Sequence, residues 1–227
     1  VQTCALPISY AAVMPAGNLS DQIARSLRAS IISGQMVPGV TYSVPALAEE
    51  FGVSSMPVRE AVLALVQRGL MSAVPNKGFR VVELTDKDLD DIMELRLMLE
   101  VPAVVNASSA VTDKLMVELR KIAKDIARAA KSGQLVDYLE ADRHFHLTLT
   151  ALADNPSLND IIDDLRSRSR LTGLGTLVER GALTESAHEH VQMLDAISAG
   201  DTKTLHELMD RHIRHSRGIW AGRAENA

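Results

Sequence analysis

Residues 51–69 read FGVSSMPVREAVLALVQRG, a short turn followed by a helix that is predicted to begin at Pro57. Apolar residues recur in it at helical spacing and are predicted to face a core: Val58, Ala61, Val62, Leu65 and Val66. The leading end is predicted to be exposed: Ser54, Ser55, Met56 and Arg59. Such an end offers a positive dipole and free N–H groups, which suit the major groove of DNA. The stretch therefore predicts a DNA-reading helix.

The flanking residues predict a winged helix-turn-helix around this stretch. Apolar spacing predicts a first helix over 20–34, and Pro45 opens a second one. Residues 70–74 and 79–84 predict two strands, joined by a hairpin at 75–78. Helix, helix, turn, helix and hairpin is the element order of that fold.

Several polar residues of this region are candidate DNA contacts, each with a plainer alternative. Ser43, Ser54 and Ser55 are each a helix cap or a phosphate contact, and capping alone would explain one of the last two. Lys77 and Gly78 form the predicted wing tip, where the lysine adds charge and the glycine permits close approach to a groove. An ordinary hairpin turn would explain that pair equally well.

Arg59 is the strongest of the candidate DNA contacts. Its guanidinium can pair with a guanine edge or clamp a phosphate. The alternative is a surface ion pair with a glutamate such as Glu60.

The net charge of −5 is unevenly distributed. Residues 1–84 hold 6 basic and 5 acidic side chains, a balance of +1, whereas residues 85–227 hold 18 and 24, a balance of −6. This division favours a modular regulator with a DNA-binding domain at 19–84. The acidic part would then form a second domain. Residues 1–18 are predicted to be a disordered tail, because the stretch lacks periodicity and contains Pro and Gly near its end.

The chain shows no sign of a membrane or an oxidising environment. The lone Cys4 has no internal partner for a disulfide. No apolar run approaches the roughly 20 residues that span a bilayer. We therefore expect a cytoplasmic protein without a membrane partner.

Everything after the linker at 84–86 is predicted to be helical. Thr85 is a suitable N-cap, with Asp86 and Asp88 favourable in the first turn. Six helices are predicted, at 86–108, 112–132, 134–153, 157–174, 183–199 and 201–222. The predicted fold is mostly α: a winged helix-turn-helix followed by a helical bundle.

Ordered motifs in both halves resemble a known family. LAEEFGVS at 47–54 and PVREA at 57–61 resemble the GntR family of bacterial transcription regulators. Further motifs resemble the FCD effector domain of its FadR subfamily: Arg96, Asp142 with Phe145-His146, Asn155-Pro156, Glu189-His190 and His212. The resemblance implies a homodimer that binds a palindromic double-stranded DNA operator and responds to a small carboxylated metabolite. Ser55 and Pro45 depart from the charged residues usual there.

Four residues are a candidate site for a divalent metal ion such as Zn, Ni or Mn. Asp142 and His146 are four residues apart and share a helix face, and His190 lies on an apolar face. Periodicity alone leaves both His212 and His215 open, and the family pattern selects His212. One carboxylate and three imidazoles inside a bundle suit such an ion.

Arg96 lies among apolar neighbours on its predicted helix and is the candidate effector-binding residue. It is a carboxylate clamp for the effector or an internal partner of Glu100, and the sequence leaves both open. Arg166, Arg168 and Arg170 add cations whose direction the sequence does not settle. The leading hypothesis is an effector-responsive regulator and not an enzyme. A metal-dependent enzyme and a metal sensor are the alternatives.

Overall fold

The structure, a computed structural model, describes residues 18–170 and 182–220 and divides into two units between Glu83 and Leu84. The elements of the first unit are α1 (Leu19–Ile32), β1 (Thr41–Tyr42), α2 (Val44–Phe51), α3 (Ser55–Gln67), β2 (Met71–Val74) and β3 (Gly78–Val81). The three strands form an antiparallel sheet in the order β1-β3-β2. Helix α1 packs against α3, and their apolar stripes form the core of this unit.

The recognition helix α3 begins two residues earlier than predicted, at Ser55 instead of Pro57. Ser54 has extended backbone angles and stands at the N-cap position. Pro57 is tolerated inside the first turn because the N–H groups there have no partner within the helix. Of the five residues predicted to face the core, Val66 is only half-buried.

The sheet also differs in detail from the prediction. Strand β1 was not predicted, because two residues are too few to show an alternating pattern. It pairs with β3, with Thr41 opposite Arg80. Strand β3 ends at Val81 and not at Leu84.

The second unit consists of helices. They are α4 (Asp86–Ala107), a 3₁₀ turn (Ser108–Ala110), α5 (Asp113–Ser132), α6 (Leu135–Ala151), α7 (Pro156–Ser169), α8 (Ala182–Ala199) and α9 (Thr202–Trp220). The predicted fold class is confirmed, with nine α-helices and a small antiparallel sheet among the described residues. The predicted tail, as far as residue 17, and the predicted helical residues 171–174 and 221–222 lie outside the described residues. None of the described helices is long and apolar enough to cross a bilayer.

The start of α4 is fixed by its own cap and by the last helix. The Thr85 N–H donates to Asp88 Oδ2 at 2.9 Å, and the Asp88 N–H donates to Thr85 Oγ1 at 3.2 Å, which completes a capping box. From α9, Arg217 Nε donates to Asp90 Oδ1 at 2.8 Å and its Nη2 donates to the Asp86 carbonyl at 3.0 Å. The first and last described helices of the second unit are therefore bonded to each other.

Candidate metal centre and DNA interface

The leading end of α3 is exposed. Ser54, Ser55 and Arg59 are all exposed, and Met56 has 66% of its surface accessible. Of the two alternatives for Ser54, the structure does not show the helix cap, because Ser54 stands at the N-cap position of α3 without a side-chain hydrogen bond. The hydroxyl therefore has no capping role, and Arg59 lies one turn into the helix beside it.

Ser43 is a cap, as its plainer alternative predicted. The Ala46 N–H donates to Ser43 Oγ at 3.3 Å at the start of α2. Lys77 is exposed in the hairpin turn, where its N–H donates to the Val74 carbonyl at 3.1 Å. The positive φ of 59° at Asn76, after a proline, is the pattern of a type II turn.

Gly78 is required by the packing of the sheet itself. Its φ is +123°, and a Cβ at this position would collide with the carbonyl oxygen of Tyr42 in β1. Close approach of backbone to backbone inside the wing therefore explains this glycine without DNA.

Arg80 is an exposed cation of the wing that sequence reasoning missed. Its neighbours Phe79 and Val81 are buried, so strand alternation places Arg80 on the outer face of β3. Its Nε donates to Thr41 Oγ1 at 3.4 Å. The sequence signal was present, because apolar Phe79 and Val81 on either side of Arg80 predict that Arg80 points outward from the strand.

The four predicted metal ligands meet inside the second unit. Asp142 and His146 come from α6, His190 from α8 and His212 from α9, and all four side chains are buried. One potential ligand atom from each residue lies within 4.8 Å of every other. The residues that helical periodicity could only assign to inward faces are thus brought together by three different helices.

The spacing of these ligand atoms suits a single ion. His146 Nε2 lies 3.2 Å from both His190 Nε2 and His212 Nε2. Asp142 Oδ1 lies 3.1 Å from His190 Nε2, 3.7 Å from His146 Nε2 and 3.9 Å from His212 Nε2. Ligands about 2.0–2.1 Å from a tetrahedral ion are separated from one another by about 3.3 Å. The donor set therefore fits a Zn-like divalent cation.

Groups outside the cluster orient the rings. His212 Nδ1 lies 2.7 Å from Glu189 Oε2, and His190 Nδ1 lies 3.0 Å from the Ser186 carbonyl. His146 Nδ1 lies 3.3 Å from a carboxylate oxygen of Glu100, without hydrogen-bonding geometry. With a proton on Nδ1, each ring directs a lone pair from Nε2 into the cluster, and converging lone pairs need a cation or a proton between them.

The protonation states that the cluster favours are those of metal ligands. Burial lowers the pKa of His146 well below its usual value and also lowers that of His212. Although burial opposes ionisation of Asp142, Arg170 and Arg166 hold the pKa of this carboxyl well below its usual range. Neutral imidazoles and an ionised carboxylate bind a cation without first releasing protons.

Buried arginines surround the outer side of the cluster. Arg166 Nη2 donates to Asp142 Oδ2 at 2.5 Å, and Arg170 donates to the same oxygen. Arg166 also donates to Glu100, and Arg96 Nε donates to Glu100 Oε2 at 2.9 Å. The internal pair that was the alternative for Arg96 is therefore present. Arg166 and Arg170 point inward.

A cavity of about 10 Å³ lies beside these arginines, and it has room for about one water molecule. Its polar lining comprises Arg96, Tyr138, Asp142, Arg166, Arg170, Ser186 and Ser216. The Tyr138 hydroxyl donates to Ser186 Oγ at 3.0 Å. Within the described residues, the guanidinium groups of Arg96, Arg166 and Arg170 contact two carboxylates, those of Asp142 and Glu100, so this group of five side chains carries one more positive than negative charge.

Two further histidines of α8 and α9, His188 and His215, are not part of the ligand cluster. His188 is exposed on α8. His215 Nδ1 lies 3.0 Å from Glu189 Oε1, and the ring does not join the converging group. Burial disfavours the charged form of Glu189, but hydrogen bonds from His212 and Arg211 lower its pKa to about 2. Sequence reasoning gave Glu189 no role at the site.

Comparison with known proteins agrees with both halves of this description. Residues 19–81 match the family described as "Bacterial regulatory proteins, gntR family", and residues 91–215 match the FCD domain. The chain belongs to the GntR family. A GntR-family relative, the HTH-type transcriptional regulator McbR of Escherichia coli (strain K12), is 29% identical over 86% of this chain and 91% of its own length. The solved structure "E. coli McbR/YncC" has a TM-score of 0.80 at 28% identity and covers 91% of this chain and 99% of that one.

A further relative supports this assignment to the GntR family. The Nta operon transcriptional regulator of Aminobacter aminovorans is 30% identical over 72% of this chain and 77% of its own length. The FCD domain places the chain in the FadR-like subfamily, which confirms the resemblance seen in the sequence. The family and these relatives are transcription regulators and not enzymes, and GntR regulators bind DNA and typically dimerise.

Proposed function

We propose that this regulator binds a palindromic operator as a homodimer in the cytoplasm, and that a small carboxylate bound beside a divalent metal changes its affinity for DNA. Residues 19–84 would bind DNA, residues 85–227 would hold metal and effector, and residues 1–18 would be a disordered tail. The observation that carries DNA binding is the exposed leading end of α3, with Arg59 one turn into the helix. Membership of the GntR family also supports DNA binding.

On the DNA side, contacts are proposed for two groups of residues. Ser54, Ser55, Met56 and Arg59 would enter the major groove, where arginine pairs with guanine edges. Ser43, Lys77 and Gly78 would approach the phosphates, although Ser43 and Gly78 also have internal roles.

The metal would be held by Asp142, His146, His190 and His212. Their buried donor atoms, spaced for one ion, support the assignment. With four protein ligands, an ion that takes five or six ligands would keep a coordination position open for an anion, whereas a tetrahedral ion would make a closed, structural site. Zn, Ni and Mn are all compatible with one carboxylate and three imidazoles.

An acidic effector is favoured by the charge of the adjoining cavity. Arg166 Nε is buried without a hydrogen-bond partner, and the guanidinium of Arg96 lies at the cavity wall. Carboxylates are the ligands that match guanidinium geometry. Because the cavity holds only about 10 Å³, binding an organic acid requires Arg96 or its neighbours to move.

A homodimer is supported by an apolar face on α4 and α7. Leu95, Met98 and Ile161 are 45%, 60% and 50% exposed. Met98 and Pro102 line one surface groove together with Leu158 from α7. A palindrome needs two copies related by a two-fold axis, and such an interface pairs one patch with itself. We therefore assign this apolar face to a second copy of the chain.

Fluorescence anisotropy tests the proposed function on labelled duplexes from the DNA beside the gene of this protein. Each titration is run with metal, with a chelator, and with metal plus a set of small organic acids. We expect tighter binding to the gene-adjacent duplex than to a shuffled duplex. We also expect an acid to change the dissociation constant only when metal is present. A change with metal alone would instead identify a metal sensor. Equal affinity for the gene-adjacent duplex and a shuffled duplex, at every salt concentration, would overturn the proposal.

A further inference from the structure

We propose that Glu189 is a positioning residue of the metal site, which accepts a hydrogen bond from the Nδ1–H of His212 and so turns the Nε2 lone pair toward the ion. The inference rests on the proposed metal site. It adds a residue that is not one of the four ligands.

The contacts of Glu189 support this role. The residue lies on α8, directly before His190, and is 3% exposed. Its Oε2 lies 2.7 Å from His212 Nδ1, the shortest of the contacts to the outer nitrogens of the three rings. Its Oε1 accepts from Arg211 Nε at 3.1 Å and lies 3.0 Å from His215 Nδ1. Both carboxylate oxygens are therefore held.

Glu189 differs from the groups behind the other two ligand rings. The Nδ1 atom of His190 faces a neutral carbonyl, and that of His146 faces Glu100 without hydrogen-bonding geometry. Within the described residues, Glu189 is thus the one carboxylate that forms a hydrogen bond with the outer nitrogen, Nδ1, of a ring of the cluster. A carboxylate in this position fixes the tautomer of the ring and increases its basicity as a ligand.

Glu189 also connects the cluster with the surface. It lines an open groove together with Glu185, His188, Arg211 and His215, among others. Arg211, whose side chain is 52% exposed, holds the outer oxygen of the carboxylate. One carboxylate thus touches a buried ligand ring on one side and the solvent-accessible guanidinium of Arg211 on the other.

The test measures Ni²⁺ and Zn²⁺ affinity of the full chain by calorimetry with a competing chelator. Glu189→Ala is expected to lose affinity by about 10- to 100-fold, the range for lost outer partners of metal ligands. Glu189→Gln is expected to lose clearly less, because its amide oxygen can still accept a hydrogen bond from His212 Nδ1–H. Glu185→Gln is the matched control, since Glu185 is exposed on the same helix and lines the same groove.

Stability without metal separates positioning from a structural role. Melting temperatures of the variants are compared in chelator, and affinities are compared at a temperature where all variants are folded. An affinity loss in Glu189→Ala that Glu189→Gln largely restores supports the inference. Affinity equal to wild type in Glu189→Ala, or equal losses in all three variants, would overturn it. A wild-type chain that binds neither ion would instead overturn the proposed metal site.

Discussion

Arg166 holds Asp142 from the side opposite the histidines: its Nη2 donates to Asp142 Oδ2 at 2.5 Å, while Oδ1 of the same carboxylate faces the imidazoles. Asp142 therefore belongs to both the ligand cluster and the arginine network. We expect Asp142→Asn to lower the free energy of unfolding by about 3–5 kcal/mol in chelator, as expected when a buried ion pair loses one partner. Urea unfolding measures the change.

Asp137→Asn is the control for this substitution. Asp137 is exposed on the same helix, and its replacement is expected to change stability by less than about 0.5 kcal/mol. Equal free energies of unfolding for the two variants would contradict the prediction, because they would show that the fold does not need Asp142 to balance the charge of Arg166 and Arg170.

His190 and His188 lie on the same helix but differ in exposure. His190 is buried among the ligand atoms, whereas His188 is exposed. We expect His190→Ala to abolish the rise in melting temperature that Zn²⁺ produces in wild type, because bound metal stabilises by mass action. His188→Ala should keep that rise in full. Metal content after dialysis, measured by mass spectrometry, provides a second readout, and identical loading of both variants would contradict the assignment.

Arg59 is expected to contribute directly to operator affinity. Arg59→Ala should weaken binding by about 5- to 150-fold, which corresponds to roughly 1–3 kcal/mol for a lost base contact. Anisotropy on the gene-adjacent duplex measures it. Lys121→Ala removes the same charge from an exposed position on α5 and should leave the affinity within about two-fold. An unchanged affinity in Arg59→Ala would place the base contacts elsewhere.

Gly78 and Gly34 share a positive φ but differ in the space around them. Alanine at either position is expected to cost roughly 1–2 kcal/mol for the left-handed backbone. At Gly78 the added carbon also meets the Tyr42 carbonyl, whereas at Gly34 nothing lies within 4 Å. Hydrogen exchange of the Val81 N–H, which donates to the Val40 carbonyl at 3.2 Å, should therefore accelerate more in Gly78→Ala. Equal acceleration in both variants would argue against the contact.

Met98 tests the apolar face assigned to the second copy. Met98→Glu places a charge at the centre of this face and is expected to raise the dimer dissociation constant by at least ten-fold. Val117 is 72% exposed on α5, so Val117→Glu serves as the control and should leave the constant unchanged. Sedimentation equilibrium measures both. A dimer that tolerates Met98→Glu would require a different interface.

Periodicity and turn residues made the helices predictable from the sequence. The thirteen residues of α3 carry their apolar positions at strict helical spacing, and Thr85 begins α4 as expected. Short elements were harder, because the two-residue strand β1 exists only through its pairing with β3. The steric need for glycine at position 78 could not be predicted either, because the Tyr42 carbonyl that requires it is far away in the sequence.

The candidate metal ligands could be named from the sequence, but the groups behind them could not. Asp142 and His146 share a helix face that spacing reveals. Glu189 precedes His190 and belongs to a different face, so only the packing of α8 on α9 brings it to His212. The sequence showed that Arg166 and Arg170 are cations, but not whether their side chains point into the bundle. Their contacts with Asp142 depend on how α6 and α7 pack.

The bonds from Arg217 to Asp86 and Asp90 join the last described helix to the first turn of α4. The first and last described helices of the second unit are thus joined directly, so that the later segment secures the beginning of the earlier one. A chain that stops before residue 217 would lack this closure, and such a truncation would loosen the start of α4 although all four proposed metal ligands would remain in its sequence.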